Sequence, residues 1–285
     1  MAALTQMAKL MAGFARIPRK LSWSLRKTLL PRSSFIVSLP DCDAKLTLYV
    51  GDEVSYQIYL STFETNVRRY LCDTLKPGMT FMDVGANLGL HTVLAAKLVG
   101  RTGRVFSFEP SRREFERLNQ NVRLNGMDNV ITHRYAVSDR GGKVVLSVCD
   151  DEFGGFNSIG TVSHPAARDH VSHQEDVGSI CLDDFIDTND IRRVDVVKID
   201  VEGAEVLTLK GARKLLSGAA SPTVLCELCD LTATGLGVTA RDVRTLLQEY
   251  GYSVYSLRDY CKTGLLPAEE SDWVHYEDVV ALKPK

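Results

Sequence analysis

The chain has 285 residues, 45% of them apolar and 25% charged, with 34 Lys and Arg against 36 Asp and Glu for a formal charge of -2. That is an ordinary globular composition, long enough to bury a core. The near-neutral total gives no electrostatic argument for nucleic acid, and no run approaches the roughly 20 apolar residues that span a bilayer.

The first acid is Asp41, preceded by Lys9, Arg16, Arg19, Lys20, Arg26, Lys27 and Arg32, with Leu10, Phe14, Ile17 and Leu21 on one helical face. Residues 1–40 therefore read as a basic segment with amphipathic helical character. Peripheral membrane contact, organellar targeting and simple packing on the core all fit it. The early Lys9 and the lack of a continuous apolar stretch argue against a secretory signal. Seven scattered cysteines suit a reducing compartment, and so a cytoplasmic location. Cys226 and Cys229 form a lone C-x-x-C inside a strand-like run, which favours structural thiols over zinc or redox chemistry.

Residues 41–285 read as one domain, with a lead-in cap over 41–75 and a core from 76 onward. The cap holds a strand, Lys45–Val50, and a helix carrying Val67, Tyr70, Leu71 and Leu75. Strands and helices then alternate. The strands are Thr80–Val84, Arg104–Phe108, Val130–Val137, Asp195–Asp200 and Thr223–Leu228, and an added one is Lys143–Val148. Helices run from Leu90 to Gly100, from a capping box at Ser111 and Glu114 to Asn125-Gly126, from Ala204 to Leu216, and from Ala240 to Tyr250. Residues 149–178 read as a long polar loop, and Tyr252–Leu257 and Val274–Leu282 close the chain. This pattern predicts an α/β fold with a mostly parallel twisted sheet and helices on both faces.

In such folds ligands bind at the carboxyl ends of the strands. The first core strand ends at Asp83 and turns through Gly85 and Gly89 into a helix, and the second ends at Glu109, about twenty residues beyond Gly89. An acid at that offset suits the two hydroxyls of a ribose. Two adenosine-bearing cofactors fit. NAD wants a glycine where this chain has Asn87, and Asp83 would oppose a pyrophosphate; S-adenosylmethionine brings a cationic amine and sulfonium instead.

Five segments resemble the FkbM family of methyltransferases: Phe81-Met-Asp-Val-Gly-Ala-Asn-Leu-Gly89, Gly103-Arg-Val-Phe-Ser-Phe-Glu-Pro110, Leu118-Asn-Gln-Asn-Val-Arg-Leu-Asn125, Ala136-Val-Ser-Asp139 and Val197-Lys-Ile-Asp-Val-Glu-Gly-Ala-Glu205. The resemblance implies a Rossmann-like sheet with an antiparallel last strand, S-adenosyl-L-methionine as cofactor, and O-methylation of a sugar or natural-product hydroxyl. It implies that Asp83, Gly85, Asn87 and Gly89 line the methionine end, Glu109 the ribose, and Ser138 and Asp139 the adenine. Asp200, Glu202 and Glu205 follow the fourth core strand, where an acid can orient or deprotonate a hydroxyl; capping of the next helix is the competing reading. His91, at the start of the first core helix, is a further catalytic candidate. No metal is obligatory: His164, His170 and His173 share the long loop with Asp169 and read as solvated side chains. An NAD-linked oxidoreductase and a non-catalytic module of the same fold remain the rival readings. The acceptor pocket is expected from the 149–178 loop, the segment before Pro77 and the C-terminal region, with Phe153, Phe156 and Asn157 as candidate contacts.

Overall fold

The computed structural model describes residues 17–267 and 276–284. The expected apolar positions Leu10 and Phe14, the cations Lys9 and Arg16, and Val274 lie outside them. Among the described residues no helix is long and apolar enough to cross a membrane.

The lead-in begins with α1 (Arg19–Leu29), which buries Ser22, Trp23 and Arg26 and leaves Leu21 and Leu29 half exposed. Trp23 packs on Tyr56 and Tyr59 at ring distances of 5.2 and 5.8 Å. An antiparallel hairpin follows, β1 (Ser34–Ser38) and β2 (Lys45–Tyr49). Asp52 then caps α2 (Glu53–Leu60) by accepting from Ser55 N at 2.7 Å, and α3 (Thr65–Thr74) leads into the core.

The core repeats strand and helix: β3 (Thr80–Val84), α4 (Leu90–Val99), β4 (Arg104–Phe108), α5 (Arg112–Leu124), β5 (Val130–His133). An inserted sheet follows, built from β6 (Ala136–Val137), β7 (Gly142–Cys149), β8 (Ser158–Ile159) and β9 (Val171–Ile180), before α6 (Leu182–Thr188). The repeat resumes with β10 (Val196–Ile199), α7 (Glu205–Gly211), α8 (Arg213–Ser217), β11 (Thr223–Leu228), α9 (Asp230–Ala233) and α10 (Ala240–Glu249). It closes with β12 (Ser253–Ser256), α11 (Tyr260–Thr263), β13 (Leu266–Pro267) and β14 (Glu277–Leu282). The main sheet runs β13-β12-β14-β11-β10-β3-β4-β5. From β11 to β5 every pairing is parallel, and β14 is antiparallel to both its neighbours.

Strand alternation sorts the core into two layers. Phe81, Val105, Val196, Leu225 and Val280 meet α3 and α4 on one face. Met82, Phe106, Val197, Val224 and Ala281 meet α6, α7 and α10 on the other. The expected α/β architecture, with helices on both faces and an antiparallel last strand, is the one observed.

Four local expectations are corrected. Residues 149–178 are not a plain loop, because β9 pairs along β7; its first four residues are solvent-exposed, so their polarity hid a strand. The single strand expected over Val130–Val137 is two, in different sheets, separated at Arg134-Tyr135. The helix expected from Ala204 to Leu216 breaks after Gly211, where a Cβ would lie 2.0 Å from Ser138 O. Ser111 makes no side-chain cap. Its backbone N donates to Glu109 instead, and Glu114 is drawn into ion pairs with Arg113 (2.7 Å) and Arg117 (3.2 Å).

Two asparagines one helical turn apart, Asn121 on α5 and Asn125 at its C-terminal cap, join the lead-in to the core. The carboxamide of Asn121 accepts from Thr47 N (2.7 Å) and donates to Leu88 O (2.9 Å). That of Asn125 accepts from Lys45 N (2.8 Å) and donates to Lys45 O (2.7 Å), so the pair extends the edge of β2. Asn121 is buried and Asn125 partly open. Asn121→Ala strands a buried N–H and a buried C=O, for an expected loss of about 2–4 kcal/mol. Asn125→Ala, with water able to substitute, should lose about 1 kcal/mol or less. Urea unfolding of both variants checks the ranking, and equal losses would refute this account.

Candidate active site

The sheet order reverses between β3 and β10, and a cavity of about 550 Å³ opens at the carboxyl ends of the strands there. Backbone geometry defines its floor. Gly85 N and Ala86 N both donate to Phe108 O at 3.0 Å, and Asp200 N donates to Val84 O at 3.0 Å. Gly85 has φ +84, and a Cβ on it would lie 1.7 Å from Asp200 O. Asn87 is also left-handed, at φ 48, and its side chain accepts from Leu88 N at 2.7 Å. This is why asparagine serves where a dinucleotide site would want a second glycine: it tolerates that region and ties down its own loop.

Glu109 lies on the cavity wall, 5% exposed. Its Oε2 accepts from Asn87 N (2.8 Å) and its Oε1 from Ser111 N (2.9 Å), which orients the carboxyl group. Burial pushes its pKa up to about 8, with Glu114 and Asp83 adding to the rise against the two N–H donors.

Lys198 organises the other side. It stands opposite Asp83 in the β3–β10 register. Its Nζ lies 2.7 Å from Asp200 Oδ2 and 3.6 Å from Glu64 Oε2. Burial works against its charge, but Asp200, Glu64 and Asp83 together hold its pKa well above the ordinary value, so it stays an ammonium. His91 approaches the same Glu64 oxygen at 3.4 Å. Burial, reinforced by Lys198 and Arg68, lowers its pKa well below the usual value, so the imidazole is neutral. Burial also raises Glu64, Glu202 and Glu227 well above the carboxylate range, with neighbouring acids adding to each.

Of the expected site residues, Gly85, Asn87, His91, Glu109, Asp200 and Glu202 line this one cavity. Asp83, Gly89 and Ser138 are buried outside its lining, and Asp139 is solvent-exposed and does not reach it. Asp83 is fully buried and accepts from Thr92 Oγ1 at 2.5 Å. Gly89, at φ +94, lets Leu118 approach; a Cβ there would lie 2.7 Å from Leu118 Cδ1. Ser138 Oγ lies 3.2 Å from Asp139 Oδ1, and the wall beside them is formed by Tyr135, Ala136 and Val137. Phe156 and Asn157 reach the cavity, whereas Phe153 stacks on His170 at 4.0 Å. His164 stacks on Phe156 and His173 contacts Glu175, so the three loop histidines face different partners. Glu205 accepts from Val201 N and Gly203 N at 3.1 and 3.2 Å, closing the turn before α7. Cys226 and Cys229 are buried thiols whose pKa burial raises, which makes them unreactive.

Glu64, Lys198, Glu227 and Asp278 also line the cavity and carried no assigned role in the sequence. Three of them interrupt apolar strands, Val-Val-Lys-Ile, Val-Leu-Cys-Glu-Leu and Glu-Asp-Val-Val. A charge inside a buried strand was the available signal. Glu64 carried none, since it arrives from the lead-in only through folding.

A protein-family model described as the methyltransferase FkbM domain matches residues 83–254, more than half of the chain. Over 235 residues the chain is 27% identical to the hexuronic acid methyltransferase AglP of Haloferax volcanii, covering 82% of this chain and 88% of that one. It is 26% identical over 167 residues to the 2-O-methyltransferase NoeI of Sinorhizobium fredii, covering 55% and 67%. The crystal structure of methyltransferase FkbM from Methylobacillus flagellatus aligns with a TM-score of 0.45 at 18% identity over 81% of this chain; this chain spans 55% of that one, little more than half its length.

The geometry yields two expectations. Gly85→Ala should destabilise far more than Gly51→Ala, since Gly51 has φ +105 but open space around it. The second should cost about 1–2 kcal/mol for the left-handed backbone alone; equal unfolding free energies would contradict the close approach at Gly85. The second expectation concerns pH. Glu109 keeps its proton to about 8 against an ordinary 4.5, and Asp52 to about 7 against 3.8. The folded state is then the more protonated one, so stability falls as pH rises through that interval. The melting temperature of the ligand-free protein should decline between about pH 5 and about pH 8, with a shallower slope in Glu109→Gln. A rise across the interval would refute it.

Proposed function

The chain belongs to the FkbM family of S-adenosylmethionine-dependent methyltransferases, and from that premise we propose that it methylates a hydroxyl of a sugar or sugar-like small molecule in the cavity between β3 and β10. The NAD-linked reading gives way to the methyl donor. The observation that carries the proposal is that Glu109 and the Asp200–Glu202 pair line one cavity, whose roughly 550 Å³ lies within the range for small-molecule sites. The relatives support the substrate class by name, one acting on a hexuronic acid and the other at a 2-O position.

S-Adenosylmethionine, when bound, supplies a methyl group made electrophilic by its sulfonium. Glu109 accepts the ribose hydroxyls with the lone pairs that Asn87 N and Ser111 N leave free. Gly85 and Asn87 bring backbone to the methionine end, while Asp83 and Gly89 act behind the wall by fixing Thr92 and admitting Leu118. Buried Ser138 follows Val137, which lines the adenine end of the cavity, whereas exposed Asp139 does not reach it. Asp200 orients the acceptor hydroxyl and takes its proton as the oxygen accepts the methyl, the C–S bonding pair remaining on sulfur. Glu202, whose carboxyl burial keeps protonated, orients that hydroxyl by hydrogen bonding. Neutral His91 is the second proton acceptor in reach of the cavity. Much of the rest is positioning and exclusion of water.

Calorimetric titration with S-adenosylhomocysteine and with NAD tests the reading, and binding of NAD alone would overturn it. Affinity for S-adenosylhomocysteine should strengthen from about pH 6.5 to about pH 8.5 as Glu109, faced by Glu114 and Asp83, loses its proton near 8. Glu109→Ala should weaken binding and abolish that dependence. Asp200→Asn should lower turnover on a panel of sugar hydroxyls by about 10²–10⁴-fold with cofactor affinity nearly unchanged; full turnover removes Asp200 as the proton acceptor.

A further inference from the structure

Three carboxyl groups converge on one point of the cavity floor. One oxygen from each of Asp200, Glu202 and Glu227 lies within 4.8 Å of the others. The β10–β11 register sets Ile199 beside Cys226, so the next residues of each strand, Asp200 and Glu227, arrive side by side, and the turn after β10 adds Glu202.

The charge there is not balanced by the protein. Lys198 engages Asp200 Oδ2 and stands near Glu64. Among the described residues no Lys, Arg or His lies within ion-pair distance of Glu202 or Glu227. Oε2 of Glu227 is sealed from solvent and accepts no hydrogen bond. The Glu64 side chain, 7% exposed, lines the same cavity, and its Oε2 accepts no hydrogen bond but lies 3.6 Å from Lys198 Nζ and 3.4 Å from His91 Nε2. Carboxylates crowded in this way take up either protons or a metal cation, since mutual repulsion and desolvation forbid all of them to stay charged alone.

The donor set identifies the cation. All three ligands are carboxyl oxygens, and Cys229 nearby is held as a thiol by burial. Oxygen-only sites select hard ions of the Mg²⁺, Mn²⁺ and Ca²⁺ class over zinc or copper. The cluster opens into the cavity, so coordination positions stay available for water or for substrate oxygens.

We propose that Asp200, Glu202 and Glu227 form a seat for a hard divalent cation, which chelates neighbouring hydroxyl oxygens of the acceptor and holds one of them for methylation. This rests on the reading of the cavity as the methyl-transfer site. In this arrangement Asp200 and Glu202 orient the hydroxyl through the ion. Asp200 and Glu202 are neighbours in the chain, but Glu227 reaches them only through the β10–β11 pairing, which is why the sequence alone points to no metal.

The test uses the whole protein stripped with a chelator. Titration with MnCl₂, followed by electron paramagnetic resonance of free Mn²⁺ and by calorimetry, should show one ion per chain with a dissociation constant on the order of 0.1–1 mM or tighter. Glu227→Gln and Glu202→Gln should each weaken it by about 10-fold or more, with circular dichroism and S-adenosylhomocysteine binding confirming that the variants fold. Failure of the wild-type protein to bind Mn²⁺, or binding unchanged in both variants, overturns the proposal. S-Adenosylhomocysteine binding without Mn²⁺ binding would remove the cation while keeping the methyl-transfer reading; Mn²⁺ binding without cofactor binding would remove that reading and leave only the seat.

Discussion

The site depends on the close approach of β3 and β10 at their carboxyl ends. Gly85 lies against the carbonyl of Asp200 at a distance that admits no side chain, while Asp200 N donates to Val84 O and Gly85 N to Phe108 O. Three parallel strands are thereby locked at one level. Everything that lines the cavity floor, Glu109 from β4, Asp200 and Glu202 from the turn after β10, and Glu227 from β11, inherits its position from that junction. A parallel sheet reverses order only once here, so there is one place where the loops from either side diverge and leave room for a ligand.

Charge is the second constraint. The cavity concentrates carboxyl groups around one buried ammonium, and Lys198 can satisfy only Asp200 closely. Buried acids without partners hold their protons, which makes stability pH-sensitive in the direction opposite to that of an ion-paired acid. The same deficit makes the cavity receptive to positive charge. A sulfonium, an amine and a hard metal ion all reduce the repulsion that burial imposes on these groups, so binding chemistry and native-state electrostatics favour the same class of occupant.

The lead-in is tied to this arrangement by hydrogen bonds as well as apolar contact. Asn121 bridges β2 and the carbonyl of Leu88, in the loop that turns β3 into α4. Leu46 and Leu48 pack against Leu88, Leu90 and Val93. From the same lead-in, Glu64 reaches Lys198 and His91. The segment before the core thus supplies both a wall of the cavity and one of its buried acids.

By itself the sequence determined the strand–helix alternation, the glycine turn after Asp83, the acid at Glu109 and the family, because each is written in short-range periodicity or in a contiguous motif. It misread stretches where local pattern and environment part company. The exposed half of β9 is as polar as a loop, and Ser111 and Glu114 have the spacing of a capping box but are claimed by Glu109 and two arginines. Only the tertiary structure decided which residues share the cavity. It put Asp83 behind the wall, and it brought Glu64, Lys198, Glu202 and Glu227 together from four separate elements. The physical reason is that burial and charge pairing are properties of neighbours in space. Strand register and a close backbone contact choose those neighbours, and the order of residues along the chain records neither.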